Sequence, residues 1–581
     1  MRLMLSFVTR SRAAAILILA ILVLTFVPLT LRPLFNLNEG LYAEAAREML
    51  AHNPLIPRLD GMPYLEKPPI LYWLIMLSYK IFGVGKFAAR LPSALAALGT
   101  LLVVARFART RFREPLWPAV ILFSSVGFYM MSQLVLFDMT FTFFHTITLL
   151  AFYAYIERPE EPSRLMLAAA ASALACLTKG LIGIVLPGLV VIAFLALERR
   201  TIRGLPFLAA WGVFFLIVLP WHIWMMQHVP GFFDRYIIQE QFGRFLGTLK
   251  PMDYRRPPFY YNFEHLLLGI FPWTPFLLEA VMRRRPYDSL DRFLLLWAAA
   301  YVLFFTLSKT SSSYYMLPAL PALALFLGRA MPDLKGRALR RLVAAFAVLC
   351  VTAGVVALFI PHPAMRPYIA AGALVYLGFF LRALWELRSR ARRLLPVAAM
   401  GSLAAYAALF LAFLIAHPNR YASKDLAVAL IPHLTPHSHV FVAHHYEDLS
   451  SLDFYLHRPI YVFDPRQGDL YYGIRHDPKA HRLITGRALI SLVRHRPVFI
   501  VGSTKSERSW ARYGHFHVVA SNGRDVAVEN TIWPHRAASR PSPCQTAPVA
   551  LSLQAAAKRR PACGACRDLK SEGVAATDEV E

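Results

Sequence analysis

The chain has 581 residues, 57% hydrophobic and 17% charged, with a mean hydropathy of +0.45, which excludes a soluble domain built on one ordinary core. The net charge of +27, from 62 Lys+Arg against 35 Asp+Glu, would suit a nucleic-acid binder, but the basic residues collect in short loops between apolar runs and so signal topology instead.

Apolar runs long enough to cross a hydrocarbon layer of about 30 Å recur from residue 14 to residue 416. The pattern predicts spans near 14–33, 86–106, 116–134, 139–156, 164–178, 180–198, 204–226, 263–281, 292–308, 313–330, 341–360, 367–384 and 394–416, about 13 in all. The first follows Arg2, Arg10 and Arg12 but is long and lacks a small-residue cleavage site, so it reads as an uncleaved helix. With the N-terminus inside, the inner segments carry 26 Lys and Arg, and the short outer loops three: Lys179, Lys309 and Arg366. Cytoplasmic loops carry such an excess, so loops 34–85 and 227–262 are expected on the outer, non-cytoplasmic face of the membrane. Residues 1–417 form the expected membrane domain. From 418 to 535, strand-like runs (Val440–Ala443, Ile460–Phe463, Val498–Val501, Val518–Ala520, Val526–Val528) alternate with helical stretches such as Ser423–Ile431. The expected fold class is thus mostly α, a polytopic membrane protein with a small C-terminal extracytoplasmic α/β domain. Residues 536–581 read as a disordered tail, whose Cys563-Gly-Ala-Cys566 pair lacks the further ligands of a zinc site.

Polar residues gather where the chain meets the outer membrane surface. Asn38, Glu39, Tyr42, Glu44 and Arg47 fall on one short amphipathic helix, and Tyr64, Glu66 and Lys67 on a proline-stiffened turn. Ionisable groups at a membrane boundary are costly, which favours a functional site over plain interfacial packing. Asp138 opens the fourth span; a helix N-cap is the simpler explanation, and a shared site with the first loop the functional one. Lys179 in its tight outer turn suits either snorkelling or the phosphate of a lipid carrier. Arg244 in the second loop, beside Arg235, Glu240 and Gln241, and Lys309 in the turn 308–315 add cations suited to an anionic head group.

NEGLYAEAAREM (38–49), PRLDGMPYLEKPPILYW (57–73) and KFAARLPSALAALGTLL (86–102) resemble the first outer loop and second helix of bacterial polyprenyl-phosphate-sugar glycosyltransferases of the ArnT type, relatives of protein O-mannosyltransferases. FDMTFTFF, LTKGLIGIVLPGL, PWHIWMMQHVPGFF, GIFPWTPFL and SSSYYMLPALPALAL continue the likeness to about residue 330. The resemblance implies a GT-C membrane fold, a sugar donor such as an undecaprenyl-phosphate sugar, and transfer to a lipid A-like lipid or glycan on the periplasmic face. It assigns Asp138, Asn38 and Glu39 to catalysis, and Tyr42, Glu44, Arg47, Tyr64, Glu66, Lys67, Lys179, Arg244 and Lys309 to donor or acceptor binding. One departure is chemical: Asn38 stands where the family has an acid, and an amide is no general base. With an ionised acceptor phosphate no base is needed, whereas a hydroxyl acceptor would require Glu39, Glu44 or Asp138. Where relatives place a metal-ligating histidine this chain has Gln241, a poor ligand, so no metal is assigned and the cofactor requirement stays open. Two alternatives remain: a catalytically impaired relative that binds carrier lipid, and a transporter, which would show the internal repeats absent here.

Overall fold

The structure, a computed structural model, describes residues 15–531 except 203, 250–256, 283–285, 334–336, 358, 360–362, 390–394, 418–420, 444–445 and 463–485. The tail at 536–581, with Cys563 and Cys566, lies outside the described residues.

The fold is mostly helical. Among the described residues seven helices are long and apolar enough to cross a bilayer: Lys86–Arg109, Phe137–Glu157, Leu205–His228, Ser289–Leu307, Ser313–Asp333, Pro363–Glu386 and Leu395–Ala416. The pair Tyr261–Gly269 and Thr274–Met282, bent by 110°, makes an eighth if counted as one span. Shorter apolar helices (Ala15–Leu31, Ile70–Phe82, Ile182–Glu198) accompany them.

Several expected spans are therefore not single straight helices. The one placed at 116–134 is two, Trp117–Ser124 and Val126–Ser132, separated by Ser125 in an extended conformation (φ −74°, ψ 128°). Its break meets the bend at 270–273. Val126 N–H donates to Phe271 O at 2.9 Å, and a Cβ on Gly127 would lie 2.7 Å from Gly269 Cα. A bilayer core offers no water to a freed backbone donor, so two interrupted helices that satisfy each other persist where one alone would not. Hydropathy averages across a one-residue break, so the sequence draws each as one span.

Loop 34–85 folds as the helix Glu39–Ala51, a hairpin of Arg58–Leu59 with Met62–Pro63, and the helix Ile70–Phe82. Asp60 and Gly61, at φ 53° and 79°, provide the two positive-φ positions of a tight hairpin turn. The C-terminal segment carries a five-stranded sheet in the order Tyr461–Val462, His439–Val442, Val498–Ser503, Asp525–Asn530, Phe516–Ser521. The first three strands are parallel and the last two pairings antiparallel. Leu426, Val440, Leu452 and Phe499 share one core with Leu41, Met49, Tyr72 and Phe137, so the sheet is built directly onto the first loop. Asn36 latches the two: its Oδ1 accepts from Ser451 N at 3.1 Å, Ser451 Oγ at 2.6 Å and Ser423 Oγ at 3.1 Å. Helix and segment touch so closely that a Cβ on Gly40 would lie 2.4 Å from Ser451 Cα.

Candidate active site

Three segments line one cleft around Glu66, Glu240 and Lys179. The first is the turn that carries Glu66, held below the hairpin by Tyr64, whose hydroxyl donates to Glu66 Oε2 at 3.2 Å, and stiffened above by Pro68 and Pro69. The second is Phe233–Gly243, wound as a π-helix. Its i→i+5 bonding brings Arg235 and Glu240, five apart, toward the same side, which ordinary α-helical winding would not. Arg235 Nη2 lies 2.8 Å from Glu66 Oε1 and 3.1 Å from Glu240 Oε1. Arg244 Nη2 lies 2.7 Å from Glu240 Oε2 and 3.7 Å from Glu66 Oε2. Lys67 Nζ approaches the same two carboxylates at 3.7 and 4.0 Å.

The third segment is the end of the helix Pro162–Lys179. Lys179 does not snorkel: its side chain is 10% exposed and pairs with the Asp138 carboxylate, 4% exposed. Nor is Asp138 an N-cap. Leu136 holds that position, and Asp138 sits in the first turn of Phe137–Glu157 with its side chain turned to the lysine. Lys179 Nζ also lies 4.2 Å from the centroid of Tyr315 and 5.7 Å from that of Tyr314, cation–π contacts that fix the ammonium group. Gly180, at φ +83°, ends the helix against Gln241, where a Cβ would lie 2.3 Å from Gln241 Oε1. The same Oε1 accepts from Leu181 N–H at 3.0 Å, binding this turn to the second loop.

These groups line a cleft that Glu66, Lys67, Lys179, Glu240, Gln241 and Arg244 share with Phe304, Phe305 and Tyr315. Lys67, Lys179, Arg235 and Arg244 outnumber Glu66, Glu240 and Asp138 by one positive charge; Lys309 is exposed between the lining residues Ser308 and Thr310 and does not itself line the cleft, and Thr310 Oγ1 donates to Arg244 O at 3.1 Å. A cationic floor beside an aromatic wall suits a phosphate carried on an apolar chain. A divalent metal does not fit. Glu66 and Glu240 face guanidinium and ammonium groups, Gln241 spends its carbonyl on Leu181, and among the described residues no three His, Cys, Asp or Glu converge.

The remaining first-loop candidates lie elsewhere. Glu39, expected in catalysis, is buried between Arg32 (2.5 Å) and Arg90 (2.8 Å) and also accepts from Phe35 N–H at 3.0 Å and Val135 N–H at 3.1 Å. Burial opposes its ionisation, but the two guanidinium groups outweigh burial and hold the carboxyl well below the usual carboxylate range. With its oxygens so engaged it is the clamp that ties the first loop to the helix Lys86–Arg109, a poor proton acceptor. Glu44 pairs with Arg47 at 2.5 Å, and Arg47 Nη1 reaches His457 Nδ1 at 3.2 Å, so both face the C-terminal segment. Tyr42 packs edge-on against Phe137 at 4.9 Å, next to Asp138. Asn38 borders a separate cavity with Leu136, Asp448 and Arg524; Tyr314 borders that cavity too and reaches Lys179.

Comparisons with known proteins find likenesses over most of the chain. Residues 66–224 match the family described as dolichyl-phosphate-mannose-protein mannosyltransferase. The undecaprenyl phosphate-alpha-4-amino-4-deoxy-L-arabinose arabinosyl transferase of Shewanella sediminis (strain HAW-EB3) is 26% identical over 527 residues, 84% of this chain and 92% of that protein. The enzyme of the same name from Edwardsiella ictaluri (strain 93-146) is 31% identical over 330 residues, 53% of this chain and 58% of its own length. The crystal structure of ArnT from Cupriavidus metallidurans bound to undecaprenyl phosphate aligns with a TM-score of 0.74 at 25% identity, over 90% of this chain and 98% of that one. In sequence and in fold the chain is similar to the ArnT-like membrane glycosyltransferases. Within that family's fold, sequence reasoning passed over Arg32, Arg90 and the pivotal place of Arg235. For Arg90 a signal existed: a lone cation inside an apolar helix is expensive unless paired. For Arg235 there was none, because its alignment with Glu240 depends on π-helical winding.

Proposed function

We propose that this glycosyltransferase moves a sugar from a polyprenyl-phosphate carrier to an envelope lipid or glycan at the periplasmic face of the inner membrane, with the sheet-bearing segment 418–535 on that side. Lys67, Lys179 and Arg244 take the donor phosphate, with Lys309 at the rim, and Phe304, Phe305 and Tyr315 receive the first part of the polyprenyl chain. Glu66, Glu240, Arg235 and Asp138 hold those cations in place. The single observation that carries this reading is the cleft of fixed cations beside an aromatic wall. The named relatives, which include a structure bound to undecaprenyl phosphate, support it.

The chemistry follows from the pairing. The acceptor oxygen attacks the anomeric carbon, the bond from that carbon to the carrier phosphate oxygen breaks, and its electron pair leaves on the phosphate. The phosphate thereby gains charge, which preorganised cations stabilise more strongly in the transition state than in the bound donor. Every candidate carboxylate described above already faces a cation: Glu39 with Arg32 and Arg90, Glu44 with Arg47, Glu66 and Glu240 with Arg235 and Arg244, Asp138 with Lys179. None stands ready as a general base, and Asn38 is none. This favours an acceptor whose nucleophilic oxygen is already ionised, a phosphate. The test is purified protein in liposomes with radiolabelled undecaprenyl-phosphate sugars and lipid acceptors. Transfer that falls in Lys67→Met and Arg244→Met supports the reading; carrier binding without transfer from any donor would instead make the protein a binding-only relative.

A further inference from the structure

Beneath the Asp138–Lys179 pair, inside the helix bundle, three polar rings meet with no hydrogen-bond partner among the described residues. His145 is two turns along its helix from Asp138 and on the same face. Its ring centroid lies 5.7 Å from that of Trp297 and 5.3 Å from that of Tyr301, which are four residues apart on Ser289–Leu307. All three side chains are 0% exposed. His145 Nδ1 and Nε2, Trp297 Nε1 and the Tyr301 hydroxyl are each without a partner. A neutral imidazole brings a donor and an acceptor, a phenol both, and an indole a donor. Buried groups of this kind are satisfied in the great majority of proteins, and where side chains do not satisfy them ordered water does.

We infer that His145, Trp297 and Tyr301 hold internal water under the ion pair, and that this water solvates Asp138 when Lys179 turns to an anionic ligand. A carboxylate 4% exposed cannot release its cation unless something replaces the lost solvation. Tyr301 lies within electrostatic reach of Asp138. Phe141 stacks on His145 at 5.4 Å and stands 6.0 Å from Lys179 Nζ, so a single ring bridges His145 and the pair. The solvating role rests on the phosphate-binding reading of Lys179. The hydration itself does not.

Radiolytic hydroxyl-radical footprinting of the wild-type protein in nanodiscs tests the hydration, because radicals formed from bound water mark the side chains beside it. Trp273 is the internal control: it is equally buried, but its Nε1 donates to Ser124 Oγ at 2.8 Å. Trp297 and Tyr301 should be labelled about ten times faster than Trp273. Equal rates would overturn the inference. For the solvating role, Tyr301→Phe should weaken undecaprenyl phosphate binding by about two- to tenfold, the worth of one hydrogen bond, with the melting temperature unchanged. Unchanged affinity in that variant, with Trp297 still labelled, would leave the water but refute its role; loss of all carrier binding in the wild type would refute the phosphate reading instead.

Discussion

Replacing Lys179 separates a structural ion pair from a functional cation. In Lys179→Met the Asp138 carboxylate keeps its burial, at 4% exposure, and loses the cation the structure gives it. Breaking a buried pair from one side costs about 3–5 kcal/mol when the surviving charge is left uncompensated, and internal water beside Asp138 holds the cost toward the lower end of that range. Asp138→Asn alone leaves an ammonium at 10% exposure that still has the Tyr315 face at 4.2 Å, so its cost should fall near or below the lower end of that range. The double variant Asp138→Asn/Lys179→Met removes both charges and should recover most of the loss, a coupling of at least about 2 kcal/mol between contacting residues. Turnover should not recover. Without the cation the departing phosphate loses a preorganised partner, a deficit on the order of 10²–10³ in rate. The assay is denaturant or thermal unfolding in detergent, followed by tryptophan fluorescence, beside transfer from labelled donor. A double variant that regained both stability and turnover would show that Lys179 serves only Asp138, and the phosphate reading of this residue would be wrong.

Gly40→Ala would press a methyl against the Ser451 backbone at 2.4 Å, where neither chain can yield cheaply; overpacking of this kind costs about 1–3 kcal/mol or more and should appear as a lower melting temperature and faster proteolysis of the C-terminal segment. Glu39→Gln should be among the most damaging substitutions in the first loop, by about 3–5 kcal/mol, because Arg32 and Arg90 would be buried without a counter-charge; a wild-type melting temperature in that variant would refute the clamp. Burial, then Asp60 and Glu44, push the Asp453 carboxyl well above its usual range, so the folded protein keeps a proton there that the unfolded chain releases above about pH 4. Stability is therefore lost as pH rises from that point, and Asp453→Asn, neutral throughout, should gain in melting temperature over the wild type between about pH 4 and pH 7. A constant difference across that window would contradict the buried neutral carboxyl.

Much of the architecture was written in local patterns. The five strand-like runs each became a strand of one sheet, and Ser423–Ile431 contains the helix Lys424–Leu430, because a period of two and turn residues are local properties. What the sequence did not show were one-residue events: the break at Ser125, the bend at 270–273 and the π-helical stretch over Phe233–Gly243 are each set by what packs against them. The site divides the same way. Glu66, Lys67, Lys179 and Arg244, all singled out in the sequence, line one cleft, where buried cations need counter-charges beside them. Glu39 and Glu44 share a helix with Asn38 yet face different neighbours, and the sequence offers no way to tell an acid that receives a proton from one locked between two arginines.

Passage of the sugar from a carrier phosphate to an oxygen that is already ionised can be tested in isolation. Its most direct measurement is transfer in proteoliposomes, from labelled undecaprenyl-phosphate sugar, to a phosphorylated lipid acceptor and to the same lipid after phosphatase treatment. Labelled product is expected with the phosphorylated acceptor and little or none with its hydroxyl counterpart. Equal or better transfer to the hydroxyl lipid would contradict this expectation, and would require that one of the paired carboxylates, Asp138 before the others, part from its cation to act as a base.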